Sequence, residues 1–76
     1  MSKVWKTQAC LFAWGQLPPG EYTSEDIADA ANALGLSDFC HATDAQNALR
    51  TMPVTKEIQA GSRRIIYKKE AREDRG

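Results

Sequence analysis

The side chains best equipped for chemistry in this chain are basic and amide groups gathered in its second half. Arg63 and Arg64 sit beside Gly61, with Lys56 shortly before them and Lys68 and Lys69 just after. Cations at that density make a surface able to hold a polyanion. Ahead of them, Gln46, Asn47, Arg50 and Thr51 bring hydrogen-bond donors and acceptors together in one short run. Other chemistry has less to work with. Cys40 and His41 are adjacent while Cys10 is remote, a set with none of the spacings of structural zinc, so a packed thiol and a partly exposed imidazole are expected rather than a metal site. The chain has no glycine-rich phosphate loop, no Gly-x-Ser-x-Gly elbow and no carboxylate pair flanking a base. No residue nominates itself as catalytic, and neither a cofactor nor a small-molecule effector is expected.

The elements that must carry these groups belong to one small domain. Ten Lys plus Arg balance ten Asp plus Glu over 76 residues, but the signs are segregated. Between Glu21 and Leu49 every charge is acidic (Glu21, Glu25, Asp26, Asp29, Asp38, Asp44). From Arg50 to Arg72 seven bases meet only Glu57 and Glu70. Sign counts alone leave ordinary solubilising charge as the simpler reading and a basic anion-binding face as the sharper one. A core of this size typically supplies ~3–5 kcal/mol of net stability, which leaves little from which to carve a deep active site. The most apolar stretch, Ala9 to Trp14, falls far short of the roughly 20 residues of a membrane span. The start Met-Ser-Lys-Val-Trp-Lys lacks the apolar core of a secretion signal, so a cytoplasmic protein is expected. Cys10 and Cys40 are then expected as reduced thiols inside the fold.

Four segments follow from periodicity and punctuation. Val4, Trp5, Ala9, Leu11, Phe12 and Trp14 recur at helical spacing from about Val4 to Leu17, and Pro18-Pro19-Gly20 turns the chain. Thr23 opens the clearest helix: Glu25 and Asp26 favour its positive end, Ile27, Ala30, Ala31 and Leu34 line one face, and Gly35 closes it. A third helix is expected from about Asp44 to Thr51, capped by Ser37 or Thr43, with Ala45, Ala48, Leu49 and Met52 inward and Pro53 as its stop. Val54 to Gln59 and Arg63 to Lys68, β-branched runs around Ala60-Gly61-Ser62, predict a hairpin. This makes residues 1–69 the folded domain and residues 70–76 a charged tail.

Tyr22-Thr23-Ser24-Glu25-Asp26-Ile27-Ala28, then Ala48-Leu49-Arg50 running through Pro53 into Ile58 and Arg63-Arg64-Ile65-Ile66-Tyr67, resemble the winged helix-turn-helix family of DNA-binding domains. The resemblance covers about Val4 to Lys68. It departs at Leu36-Ser37-Asp38-Phe39-Cys40-His41-Ala42-Thr43, which is longer than the usual turn before the recognition helix. The fold it implies is α+β, a three-helix winged helix-turn-helix with a C-terminal two-stranded β-hairpin wing. The implied function is binding of double-stranded DNA by a small prokaryotic, phage or plasmid-type repressor. Its third helix would enter the major groove while the wing lies on phosphates or the minor groove. On that reading Gln46, Asn47, Arg50 and Thr51 face bases, Gln and Asn suiting adenine and Arg guanine. Arg63, Arg64, Lys56, Lys68 and, further back, Lys69 meet the backbone or minor groove. Thr43 or Ser37 at the helix start, with free backbone amides, could hold one phosphate, with a simple cap as the favoured role.

Not all of Val4, Trp5, Phe12 and Trp14 fit inside so small a core, so self-association through the first helix into a homodimer is expected. The competing reading is a protein-interaction module of the same fold that docks another protein through its acidic second helix. The sequence pI of 6.5 lies below the ~9 frequent among nucleic-acid binders and keeps that reading open.

Overall fold

The computed structural model describes residues 3–61 and 64–70. It is an α+β arrangement of three helices and a three-stranded antiparallel sheet. The elements run α1 (Lys6–Gln16), β1 (Gly20–Thr23), α2 (Ser24–Leu34), α3 (Ala42–Leu49), β2 (Thr55–Ile58) and β3 (Ile65–Lys69).

Short side chains let the three helices approach closely. Ala9, Cys10 and Ala13 of α1, Ala28 and Ala31 of α2, and Ala45 and Ala48 of α3 are buried, with Ile27 and Leu49 filling the space between them. Trp14 joins this layer to the sheet. Its ring meets Tyr22 of β1 and Tyr67 of β3 edge-on, at centroid distances of 6.1 and 6.4 Å. Edge-to-face contact suits the ring quadrupoles and fills a gap that alanines leave open. Trp5 and Phe12 are exposed, so α1 buries a narrower face than its apolar content suggests.

The sheet departs from the expected two-stranded hairpin. β3 is central, in the order β1-β3-β2, and its first-side partner is the short strand immediately before α2. Gly20 faces Lys69, Tyr22 faces Tyr67 and Thr23 faces Ile66. Four residues behind a Pro-Pro-Gly turn carry no alternating pattern, and their ladder partners come more than 40 residues later. Only tertiary pairing makes them a strand.

Helix ends follow local chemistry with two corrections. Thr23 and Asp26 cap each other reciprocally: the Asp26 amide donates to Thr23 Oγ1 (3.2 Å) and the Thr23 amide to Asp26 Oδ2 (3.0 Å). Gly35 takes the left-handed conformation, φ 68°, that lets its N–H reach Asn32 O. The first correction concerns α3, which begins at Ala42 behind His41 and is capped by neither Ser37 nor Thr43. The Asp44 carboxylate accepts from the His41 amide at 2.8 Å. A second anchor lies one residue earlier, where Asn32 of α2 brackets Cys40. Asn32 Nδ2 donates to Cys40 O (3.0 Å) and Cys40 N–H donates to Asn32 Oδ1 (2.7 Å). This pair of bonds holds the long connector as linker and decides where α3 starts. The second correction is at the other end: α3 stops at Leu49, so Thr51 and Met52 follow the helix, and Met52 is exposed rather than inward.

Cys10 and Cys40 are free, buried and close neighbours. Burial first, and the adjacent Cys40 second, push the Cys10 thiol from its ordinary 9.0 up to about 12. Both thiols are therefore expected to resist an aromatic disulfide reagent at neutral pH in the native state and to react fully in guanidinium; rapid native reaction would contradict the packing. Because the folded value is raised, this contribution to stability is intact below pH 9.0 and is lost as pH climbs from there toward about 12. Asn32→Ala leaves the buried Cys40 amide without a partner. It is expected to lower the urea-unfolding free energy by about 1–3 kcal/mol with an unchanged m-value.

Candidate nucleic-acid interface

α3 is amphipathic by position. With Ala45, Ala48 and Leu49 buried, Thr43, Gln46, Asn47 and Arg50 project from the opposite side and are exposed. Thr51 is exposed just past the helix end. Thr43, Gln46 and Asn47 of the helix and Arg50 at its C-cap form one outward strip. Gln46 is partly engaged: its amide donates to Ser24 Oγ, at 3.4 Å, where α2 begins. That contact orients the side chain and brings it beside the start of α2, which continues with the exposed acids Glu25 and Asp26.

The other end is basic. Lys56 of β2 reaches back to donate to Arg50 O (3.3 Å) at the C-terminus of α3, the negative end of its dipole. The first cation of the hairpin and the last of the helix therefore share one corner. Neither the α3 pattern nor the hairpin pattern carried a sign of this contact. It comes from the strand register, in which Lys56 faces Tyr67 and so shares the inner side of the sheet.

Pairing register separates the remaining bases. Lys68 faces Glu21 and Thr55 across the sheet and bonds Glu57 at 2.9 Å on the outer side, which holds its ammonium above the ordinary range. Lys69 is turned inward. Its ammonium donates to Trp14 O (2.5 Å) and Leu17 O (2.6 Å) and lies 5.6 Å over the Trp14 ring, closing the C-terminus of α1. Lys69 thus serves the fold rather than an anion. At the tip, Gly61 adopts φ 90°, Gln59 N–H donates to Arg64 O (2.7 Å), and the Arg64 residue is exposed. Arg63 lies outside the described residues, as do residues 71–76 of the tail.

Other candidate chemistry stays dispersed. His41 is exposed and stacks edge-on with Phe39 at 4.9 Å, while Cys40 is buried with its sulfur 3.3 Å from Ser37 Oγ. Among the described residues no three His, Cys, Asp or Glu side chains gather where they could hold a metal ion. An open groove of about 680 Å³ lies between the end of α1 and Met52-Pro53-Val54, and its Lys68 and Lys69 are engaged as above. Among the described residues no helix is long and apolar enough to cross a membrane. In comparison with known proteins, no family model, no curated protein and no solved structure matches this chain.

The Glu57–Lys68 bond is a solvent-facing pair, screened by water and of little consequence for stability. Glu57→Gln is therefore expected to leave the melting temperature nearly unchanged while releasing Lys68, which delays elution from a heparin column to higher salt. Unchanged elution would place Lys68 outside any anion-binding surface.

Proposed function

We propose that this chain is a winged helix-turn-helix protein that binds double-stranded DNA. On this reading it acts in the cytoplasm as a small transcriptional repressor of the prokaryotic, phage or plasmid type, without catalysis, cofactor or effector. The observation that carries the proposal is the Lys56–Arg50 corner. It joins the outward strip of α3 to the hairpin, so one continuous surface offers amide and guanidinium groups at its centre and cations at its rim. The element order helix, strand, helix, helix, hairpin, with the early strand added to the hairpin, supports the same reading.

Division of labour follows from side-chain chemistry. Asn47 and Gln46 can each make two hydrogen bonds to an adenine edge, and Arg50 two to guanine. Lys56, Arg63 and Arg64 neutralise phosphates or enter the minor groove. Thr43, on the first turn of α3, can bond a phosphate beside the helix N-terminus on this reading. The exposed acids Glu25 and Asp29 of α2 favour keeping a second reading, in which a basic protein surface docks on α2.

Fluorescence-anisotropy titration of a labelled random duplex and of DNA upstream of the protein's own gene, at low and moderate salt, separates the two. Salt-sensitive binding that favours the upstream DNA is expected. Arg63→Ala with Arg64→Ala should weaken both duplexes and flatten the slope of log K against log salt by about 2. Asn47→Ala should cost about 1–3 kcal/mol on the preferred sequence and little on the random one. Absence of binding at low salt would overturn the DNA reading and leave α2 docking.

A further inference from the structure

Cys10 lies on α1 and Cys40 in the connector before α3, yet the fold encloses both, at 0% and 1% exposure. The Cys40 sulfur is directed at α1. It lies 3.8 Å from Lys6 O, with Ser37 Oγ at 3.3 Å and Asp38 O at 3.6 Å on its own side. Lys6 is one helical turn before Cys10, and side chains on a helix lean toward its N-terminus, so the Cys10 sulfur approaches the same place from the helix. Two free thiols from distant parts of the chain therefore meet in a space closed to solvent.

The chemistry that two thiols share without further ligands is disulfide formation. Thiolate is the attacking species, and burial beside Cys40 holds the Cys10 thiol protonated, so the closed structure protects the pair. Oxidation has to pass through an opening, and the connector is the segment built to open. From Gly35 to Phe39 only Ser37 is even half-buried. The connector is held by the Val4 amide on Leu36 O, the exposed Lys3–Asp38 pair and the two Asn32 bonds to Cys40.

We propose that Cys10 and Cys40 form a redox-sensitive pair that glutathione disulfide closes to an intramolecular disulfide, stapling the start of α3 to α1. In the open connector the Cys40 thiolate attacks glutathione disulfide, forming a mixed disulfide and releasing one glutathione thiolate. The Cys10 thiolate then attacks the Cys40 sulfur, breaks the mixed disulfide and releases the second glutathione thiolate. Two protons pass from the cysteines to the two glutathione thiols, and two electrons reduce the glutathione disulfide. Cys40 directly precedes His41, the N-cap of α3, so the new bond adds a covalent tie where Asn32 already decides the helix start. It also closes the chain from Cys10 to Cys40 and removes freedom from the unfolded state. The inference does not depend on DNA binding, and its test contains no DNA.

The reduced chain is incubated with glutathione disulfide without denaturant, quenched with acid, alkylated and weighed by mass spectrometry. The expected product is a monomer lighter by two hydrogen atoms, with no alkylated cysteine and with Cys10 and Cys40 cross-linked in its digest. Both thiols should disappear together and slowly. The oxidised chain should melt on the order of 10 °C higher by circular dichroism and return to the reduced curve in excess dithiothreitol. Cys10→Ala and Cys40→Ala should each show no such gain after the same treatment. Because either substitution trims the core, the wild-type mass and melting curve also decide by themselves. Thiols that stay free, a lasting glutathione adduct, a cross-linked dimer, or an oxidised chain that melts no higher would overturn the proposal.

Discussion

Trp14 is where the helical layer and the sheet become one structure. The helices meet through alanine and cysteine, which permits close approach but leaves little bulk to grip anything else. Trp14 supplies that grip with two tyrosine edges, one from an outer strand and one from the central strand. Lys69 then satisfies two carbonyls at the end of the same helix while covering the indole face. One aromatic side chain thereby ties the start of the chain to its last strand. The register of β3 depends on that tie, and the placement of Lys56 and Lys68 depends on the register.

The candidate interface is a consequence of this frame rather than of base count. The lysines and arginines of the second half look equivalent in a list of charges, yet the fold gives Lys56, Lys68 and Lys69 different work. Lys69 closes a helix, Lys68 bonds an acid on the outer side of the sheet, and Lys56 joins Arg50 at the end of α3. Arg50, Lys56 and Arg64 are exposed, and Gln46 touches the start of α2, which carries the acids Glu25, Asp26 and Asp29. A chain of zero net charge can carry a usable field where its signs are segregated along the sequence.

Small cores force a choice about where large apolar groups go. Here Trp14, Ile27, Leu49 and Tyr67 fill the interior, Leu11, Leu17, Tyr22, Leu34 and Ile65 pack half-buried around it, and Trp5, Phe12, Phe39 and Ile58 are left outside. Burying Phe12 as well would require α1 to turn its alanine face outward and lose its close contact with α2 and α3. The exposed face of α1 is in that sense the counterpart of its tight inner face.

Local chemistry was enough to read three helices, the proline turn after α1, the Thr23 start and Gly35 end of α2, and a glycine-turned hairpin. In each case the residues that decide the conformation lie within a few positions of it. The outward strip of α3 was legible for the same reason, since Ala45, Ala48 and Leu49 define its opposite side. What only the tertiary structure decided rests on partners distant in sequence. β1 is a strand because β3 pairs with it, and α3 starts at Ala42 because Asn32 holds Cys40 and Asp44 caps His41. Lys68 and Lys69 leave the set of available cations because pairing sends alternate side chains to opposite faces of the sheet. Local spacing records which groups share an element, whereas the pairing of one element with another determines which groups share a surface.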